Sequence, residues 1–281
     1  MRCEVQASRT KLSLLSNPGA LVFLAFLMMA FFAPHLAPHD PWKRYEPYLG
    51  PSWDHPLGTN DMGNDILSEI IFGSRVSLGV GLGSAIIATL IGTIVGASAG
   101  YFRGWVDDIL MGITDIFLMI PQIPLVIVVA AFLKPSSITI TLIMGLLWWT
   151  SLARIVRARV LQVREMAFVE AAKVTGFSDM HIILTDVLPN TIHVIMPKFM
   201  LTVASAMIAE ASLSFLGLGD PNSKSWGMII NFAFSRGGFL NGCWWWYMPP
   251  GICITLSVLS LVTMSLMLEE RRGVHVASPG A

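Results

Sequence analysis

The chain has 281 residues, of which 54% are hydrophobic and 13% are charged, and its formal net charge is zero. Soluble proteins carry about 25% charged residues, so this composition excludes an ordinary soluble domain. The mean hydropathy of +0.66 points the same way. Because the chain has no excess of basic residues, we expect no nucleic-acid partner.

Six apolar windows dominate the sequence, and five of them contain no Asp, Glu, Lys or Arg. A membrane-crossing helix needs about 20 mostly apolar residues. The windows lie at residues 12–39, 76–102, 116–133, 135–153, 199–219 (interrupted by Glu210) and 237–268. The sequence therefore predicts an all-α, polytopic membrane protein with six transmembrane helices in contact with a lipid bilayer.

Basic residues set the predicted orientation, because Lys and Arg are more frequent on the cytoplasmic side. Most of them lie inside when both termini are cytoplasmic. The basic start and apolar residues 20–33 also resemble a secretory signal, but Pro34 and five further spans favour an uncleaved anchor. The predicted parts are a cytoplasmic N-terminus (1–17), a first span (18–37), an extracytoplasmic segment (38–75), a five-helix core (76–269) and a cytoplasmic tail (270–281).

The predicted extracytoplasmic segment is rich in proline, which disfavours regular structure. Its end, residues 61–72, alternates acids with isoleucines and leucine at helical spacing, which predicts an amphipathic helix against the outer face. In the second span, Gly92, Gly96 and Gly100 repeat every four residues, which is typical of closely packed helices. His35, His39 and His55 lack a metal-binding spacing, so we expect no metal site.

Four residues within the spans are candidates for lining a transport pathway. Pro121 and Pro124 predict a kink in the third span, and such breaks are tolerated where protein or a water-filled cavity satisfies the backbone. Asp115 and Glu210 are acids at membrane depth, where a charge is costly. Either acid would contact a cargo cation or bond to a neighbouring span, and the sequence leaves both alternatives open.

A charged segment at about residues 154–190 interrupts the apolar chain on the predicted cytoplasmic side. Residues 167–174 are good helix formers, and Gly176 is placed to end that helix. Ser178 and Asp179 are placed to cap a second helix over 181–187, closed by Pro189. Two short helices joined at a glycine are a compact docking surface, although polar composition alone would also suit a solvated loop.

The same segment carries a motif, Glu170-Ala171-Ala172, three residues, Gly176, nine residues, then a tetrapeptide ending in Leu188-Pro189. It resembles the coupling-loop signature of prokaryotic ABC importer permeases. Asp186 stands where the general pattern has Ile, a departure more frequent in the peptide branch of that family. The resemblance implies that Glu170, Ala171, Ala172 and Gly176 contact an ATPase, with Leu188 and Pro189 supporting them.

Other stretches extend the resemblance over nearly the whole chain. Residues 57–65 are similar to the L-G-T-D-x-x-G-R-D segment of dipeptide, oligopeptide and nickel permeases, with Asn60 and Asn64 as departures. Residues 210–219 resemble the family's fifth span. Ser225-Trp226-Gly227 resembles the loop after that span and lies within a predicted extracytoplasmic loop at about 219–246. The chain is most similar to the second, "C"-type permease subunit.

This resemblance implies a heteromeric importer in a prokaryotic inner membrane. The chain would form half of the pathway for dipeptides or oligopeptides, with nickel or a metal chelate as the alternative cargo. Its partners would be a homologous permease, two cytoplasmic ATP-binding subunits and an extracytoplasmic binding protein. No glycine-lysine dipeptide occurs in the chain, so it lacks a phosphate-binding loop. We therefore expect no cofactor on this chain, with ATP and Mg²⁺ on the ATPase subunits.

Two other classes compete with an importer subunit. A membrane enzyme would need a motif such as H-E-x-x-H, which does not occur, or G-x-S-x-G, which occurs only at residues 96–100, inside an apolar window rather than at a strand-to-helix turn. A stand-alone channel or secondary carrier would be expected to show inverted repeats or a filter-like sequence, and none is evident. We therefore expect a transport subunit that is not itself an enzyme.

Overall fold

The computed structural model describes residues 18–276, with side chains described as far as Glu269. The predictions for residues 1–17 and 277–281 lie outside this range. Helices and turns make up the described part, apart from one isolated bridge between Thr59 and Asp65. The helices are α1 Pro18–Phe31, α2 Ala33–Leu36, α3 Ile66–Phe102, α4 Gly104–Met119, α5 Gln122–Phe132, α6 Ser137–Leu147, α7 Trp149–Arg164, α8 Ala167–Val174, α9 Asp179–Ile182 (continued by a π-helical turn, Ile183–Val187), α10 Ile192–Phe215, α11 Trp226–Ser235 and α12 Trp244–Val276.

Among the described residues, four stretches are long and apolar enough to cross a membrane. They are Ile66–Phe102, Ser137–Arg164, Ile192–Phe215 and Trp244–Glu269. Helices α4 and α5 would together form a fifth span, bent by 80°. Helix α1 has 14 described residues, fewer than the roughly 20 that a span needs. The all-α membrane fold is therefore confirmed, whereas the first of the six predicted spans stays a prediction.

The second span differs from its prediction at its start. Residues 61–65 form turns, and α3 then continues without a break from Ile66 to Phe102. The separate amphipathic helix predicted over 61–72 is therefore wrong, because its isoleucines are the first turns of α3. Ile66, Ile70 and Ile71 are all buried, so packing extends the helix across the predicted boundary at residue 75.

The described part of the chain divides into two compact units, and the first comprises residues 18–82, 130–140 and 203–264. It contains α11, within the region predicted as an extracytoplasmic loop. Ser225 caps this helix by accepting a hydrogen bond from the Met228 backbone N–H, 3.2 Å away. The fully buried Trp226 donates its indole N–H to the Ile70 carbonyl at 2.9 Å. This long-range anchor explains a helix that local sequence patterns did not reveal.

The second unit comprises residues 83–129, 141–202 and 265–276. Within it, the glycine repeat of α3 packs directly on α7, as the four-residue spacing predicted. A Cβ atom on Gly96 would lie 2.4 Å from the Ala153 carbonyl oxygen. Cβ atoms on Gly92 and Gly100 would lie 2.7 and 2.9 Å from the carbonyl oxygens of Trp149 and Arg157, which also belong to α7. The glycines thus bring two backbones into contact.

Gly96→Ala is expected to destabilise the protein, because backbone atoms of α7 occupy the space that the methyl group needs. Overpacking of this kind costs about 1–3 kcal/mol. Gly112→Ala is the matched control, since nothing lies within 4 Å of a Cβ atom on that helical glycine. Thermal unfolding in detergent should show a lower Tm for Gly96→Ala and an unchanged or higher Tm for Gly112→Ala. Equal Tm values would contradict this account of α3 and α7.

Candidate functional site

The first short helix of the charged segment, α8, has the predicted bounds, Ala167–Val174. Glu170 lies in its first turn, where an acid interacts favourably with the helix dipole. Gly176 ends the helix with φ of +84°, a left-handed conformation that glycine adopts at little cost. The Phe177 N–H donates to the Ala172 carbonyl at 3.2 Å, which satisfies one of the last free carbonyls of the helix.

The second short helix begins two residues before its predicted start. Ser178 caps α9 by accepting from the His181 backbone N–H. Asp179, predicted to share the capping, is instead the first residue of the helix. The chain continues as a π-helical turn, in which the Leu188 N–H donates to the Ile183 carbonyl at 2.8 Å. Such turns occur frequently at functional sites.

Aliphatic side chains hold both short helices against α7. Val169 of α8, Ile182 of α9 and Ile183 and Val187 of the π-helical turn are buried in one cluster. The cluster includes three valines from one face of α7: Val156, Val160 and Val163. Full burial of each such side chain stabilises the folded state by about 1.5–3 kcal/mol. The charged segment is therefore a folded surface rather than a solvated loop.

The opposite face of the same helices exposes large apolar side chains. Val174 is 88% exposed, and Phe177, Met180 and Leu184 are also exposed. Apolar patches on a segment too polar for the membrane interior are typical of protein-binding surfaces. We call these four residues, with Glu170, Ala171 and Gly176, the α8–α9 surface. The four apolar residues were not predicted to be functional from the sequence. Hydrophobic residues that lack the periodicity of a core, in a charged segment, are a signal that could have identified them.

The predicted motif residues divide between this surface and the cluster beneath it. Glu170, Ala171, Gly176 and Pro189 are exposed, whereas Ala172 and Leu188 are half-buried. Both half-buried residues pack against the aliphatic cluster. The motif therefore combines residues available to a partner with residues that fix the two helices in place.

The third predicted span is broken at its proline. Helices α4 and α5 meet at Ile120 and Pro121, where the chain bends by 80°, and Pro124 lies in the first turn of α5. Asp115 on α4 is half exposed, and it accepts a hydrogen bond from the Arg154 guanidinium at 2.6 Å. Nearby, Arg157 pairs with Asp107 through both carboxylate oxygens. Asp115 thus has a protein partner, and its role in a pathway stays a prediction.

Glu210, the other acid within a span, is buried in the first unit with 2% of its surface exposed. Its carboxylate accepts hydrogen bonds from the Ser77 and Ser214 hydroxyls at 3.2 and 2.7 Å. A buried polar group is tolerated when it is hydrogen-bonded, as here. The contacts favour the structural alternative, in which Glu210 joins α10 to α3.

Among the described residues, His39, His55 and Asp65 form a cluster of metal-binding types, with candidate ligand atoms within 4.8 Å of one another. The atoms already have protein partners. His39 donates to the Asp54 carbonyl at 2.8 Å and contacts the Tyr45 hydroxyl at 3.1 Å. His55 Nδ1 lies 2.9 Å from Asp65 Oδ1. These contacts favour a hydrogen-bond network that orders the segment.

Several apolar helices and a folded charged segment define an integral membrane protein of the transporter-subunit class. The chain belongs to the family described as "Binding-protein-dependent transport system inner membrane component", whose profile matches residues 88–271. It is 36% identical to the dipeptide transport system permease protein DppC of Bacillus subtilis, over 93% of this chain and 82% of that protein. It is also 36% identical to the glutathione transport system permease protein GsiD of Escherichia coli O6:K15:H31, over 76% of this chain and 72% of that protein.

A solved structure of the MetNI methionine ABC transporter, in an inward-facing conformation, shares the fold. The TM-score is 0.54 at 17% identity, over 75% of this chain and 97% of that chain. At this identity the similarity establishes the fold and carries no information about substrate. Together with the family assignment, it identifies the helices of this chain as those of an importer permease.

Glu210→Ala is expected to lower stability while leaving transport per folded molecule unchanged. The change removes the acceptor of two buried hydroxyls, which costs about 1–3 kcal/mol. Glu210→Gln is the control, because its amide oxygen still accepts a hydrogen bond. Thermal unfolding in detergent and uptake normalised to folded protein separate the two roles. Normal stability with lost uptake would show that Glu210 acts in the pathway instead.

Proposed function

We propose that this chain is one of two permease subunits of an ATP-driven importer of dipeptides and related short peptides. The observation that carries the proposal is the match to a dipeptide permease over 93% of the chain. Glutathione is itself a tripeptide, so the second relative supports the same class of cargo. These relatives favour peptides over the alternative of nickel or a metal chelate.

The energy for transport comes from other subunits in this proposal. The chain has no glycine-lysine dipeptide and hence no loop to hold nucleotide phosphates. ATP and Mg²⁺ would bind to two cytoplasmic ATPase partners, while a homologous permease completes the pathway. A binding protein on the opposite side would deliver the peptide. This division of labour makes the chain a transport subunit rather than an enzyme.

The α8–α9 surface is the contact for the ATPase in this proposal. Its exposed apolar side chains would enter a groove on the partner, and the aliphatic cluster beneath the surface would pass the movement to α7. Arg154, Arg157 and Arg159 lie at the start of the charged segment. In this proposal the segment and both termini face the cytoplasm, as the distribution of basic residues predicts. A ligand shifts a conformational equilibrium only if it contacts the two states differently, so the contact surface has to be rigid.

Replacing Gly176 tests this coupling role in the reconstituted importer. Gly176→Val is expected to lower dipeptide uptake per ATP hydrolysed, because a β-branched residue at a φ of +84° is strained and would distort the α8–α9 surface. The strain costs about 1–2 kcal/mol. No atom lies within 4 Å of a Cβ atom there, so the backbone conformation alone causes the effect.

Gly176→Asn is the matched control, since asparagine tolerates the left-handed conformation and should preserve coupling. Labelled dipeptide uptake and phosphate release are measured in the same vesicles. If the unmodified complex shows no ATP-dependent dipeptide uptake, the proposed function is wrong. If Gly176→Val transports as efficiently as Gly176→Asn, the coupling role of this turn is wrong.

A further inference from the structure

One side chain of α3 connects the transmembrane part of the second unit to the charged segment. The Tyr101 side chain is buried, with 3% of its surface exposed, and its hydroxyl donates a hydrogen bond to Asp179 Oδ1 at 2.7 Å. Asp179 is the first residue of α9. A hydrogen bond to a carboxylate is stronger than one between neutral groups, so this contact is a substantial constraint on α9.

The ring of Tyr101 also lies beneath two cations. The Arg164 guanidinium is 5.6 Å from the ring centroid, and the Lys173 ammonium is 5.2 Å from it. Arg164 is the last residue of α7, and Lys173 lies in the last turn of α8. Both distances are within the range of a cation–π interaction. Tyr101 therefore contacts all three helices that form or support the α8–α9 surface.

The chain immediately after Tyr101 is held in an unusual conformation. Arg103 has φ of +58° and ψ of −166°, a region that residues other than glycine rarely occupy. Its guanidinium pairs with Glu165, in the turn between α7 and α8, and this hydrogen bond lowers the pKa of the Glu165 carboxyl. That pair is exposed to solvent and so is weaker than the Tyr101 contact. The two contacts tie the end of α3 to the turn before α8 and to the start of α9.

We infer that Tyr101 is a positioning residue for coupling, whose hydroxyl holds the α8–α9 surface in register with α3. The inference rests on the proposed function, because it assumes that an ATPase contacts this surface. A purely structural alternative is that Tyr101 only fills space in the aliphatic cluster, of which it is a member. Phenylalanine would fill the same space without the hydrogen bond, so the two roles are separable.

Tyr101→Phe in the complete reconstituted importer tests the inference. The number of dipeptides transported per ATP is expected to fall roughly 10- to 100-fold, the range that loss of one hydrogen bond to a charged group produces in an equilibrium. Asp179→Ala, which removes the acceptor from the other side, should reduce the ratio to the same extent. The double variant should be no worse than either single variant, because both remove the same contact.

Tyr48→Phe is the matched control. The Tyr48 hydroxyl donates to the Arg236 carbonyl at 2.9 Å within the first unit, so the change removes a tyrosine hydroxyl and its hydrogen bond, here to a neutral exposed carbonyl, and leaves the charged segment untouched. Asp179→Asn is a second control, because its amide oxygen still accepts from Tyr101 and should largely restore the ratio.

The outcomes separate this inference from the proposed function. A reduced ratio in Tyr101→Phe and Asp179→Ala, with Tyr48→Phe unchanged, supports the positioning role. The positioning role is wrong if Tyr101→Phe gives less folded protein but an unchanged number of dipeptides per ATP. It is also wrong if the losses in the double variant are additive. If Gly176→Val lowers the ratio while Tyr101→Phe does not, the coupling surface stands and only the role of Tyr101 is wrong.

Discussion

Burial of a small set of aliphatic side chains beneath the charged segment is the interaction on which the rest depends. Val169, Ile182, Ile183 and Val187 pack on the valine face of α7 and keep two short helices folded outside the apolar part of the chain. Isolated helices of this length are unstable in water, so without that packing the segment would be a solvated loop. The same packing leaves the apolar residues of the opposite face available to a partner.

Ion pairs join the arginines of α7 to acids on α4, the first helix of the adjoining broken span. Arg154 and Arg157 are bound by Asp115 and Asp107 of α4, so both acids neutralise arginines at the start of the charged segment. Glu210 is satisfied by serine hydroxyls in the first unit. These contacts give each of the three acids a protein partner.

Local features were predictable from the sequence, and features set by distant contacts were not. The bounds of α8 and the left-handed Gly176 follow from helix propensity and glycine chemistry, and the glycine repeat of α3 predicted close helix packing, although not which helix is the partner. Helix α11 depends on Trp226 reaching Ile70, and the hydrogen bond between Asp179 and Tyr101 joins residues far apart in the chain. No local pattern encodes such pairings. Matching stretches spread over nearly the whole chain identified the family, which composition alone could not do.

Contact between the α8–α9 surface and an ATPase is the central claim, and site-specific cross-linking tests it most directly. Val174→Cys is introduced into a chain whose native cysteines, Cys3, Cys243 and Cys253, are replaced, with Leu240→Cys as an equally exposed control in the first unit. In native membrane vesicles opened to the reagent, we expect Val174→Cys to form a cross-linked product with the ATP-binding subunit, in a yield that changes when nucleotide is added. Absence of that product, or an equal product from Leu240→Cys, would contradict the account.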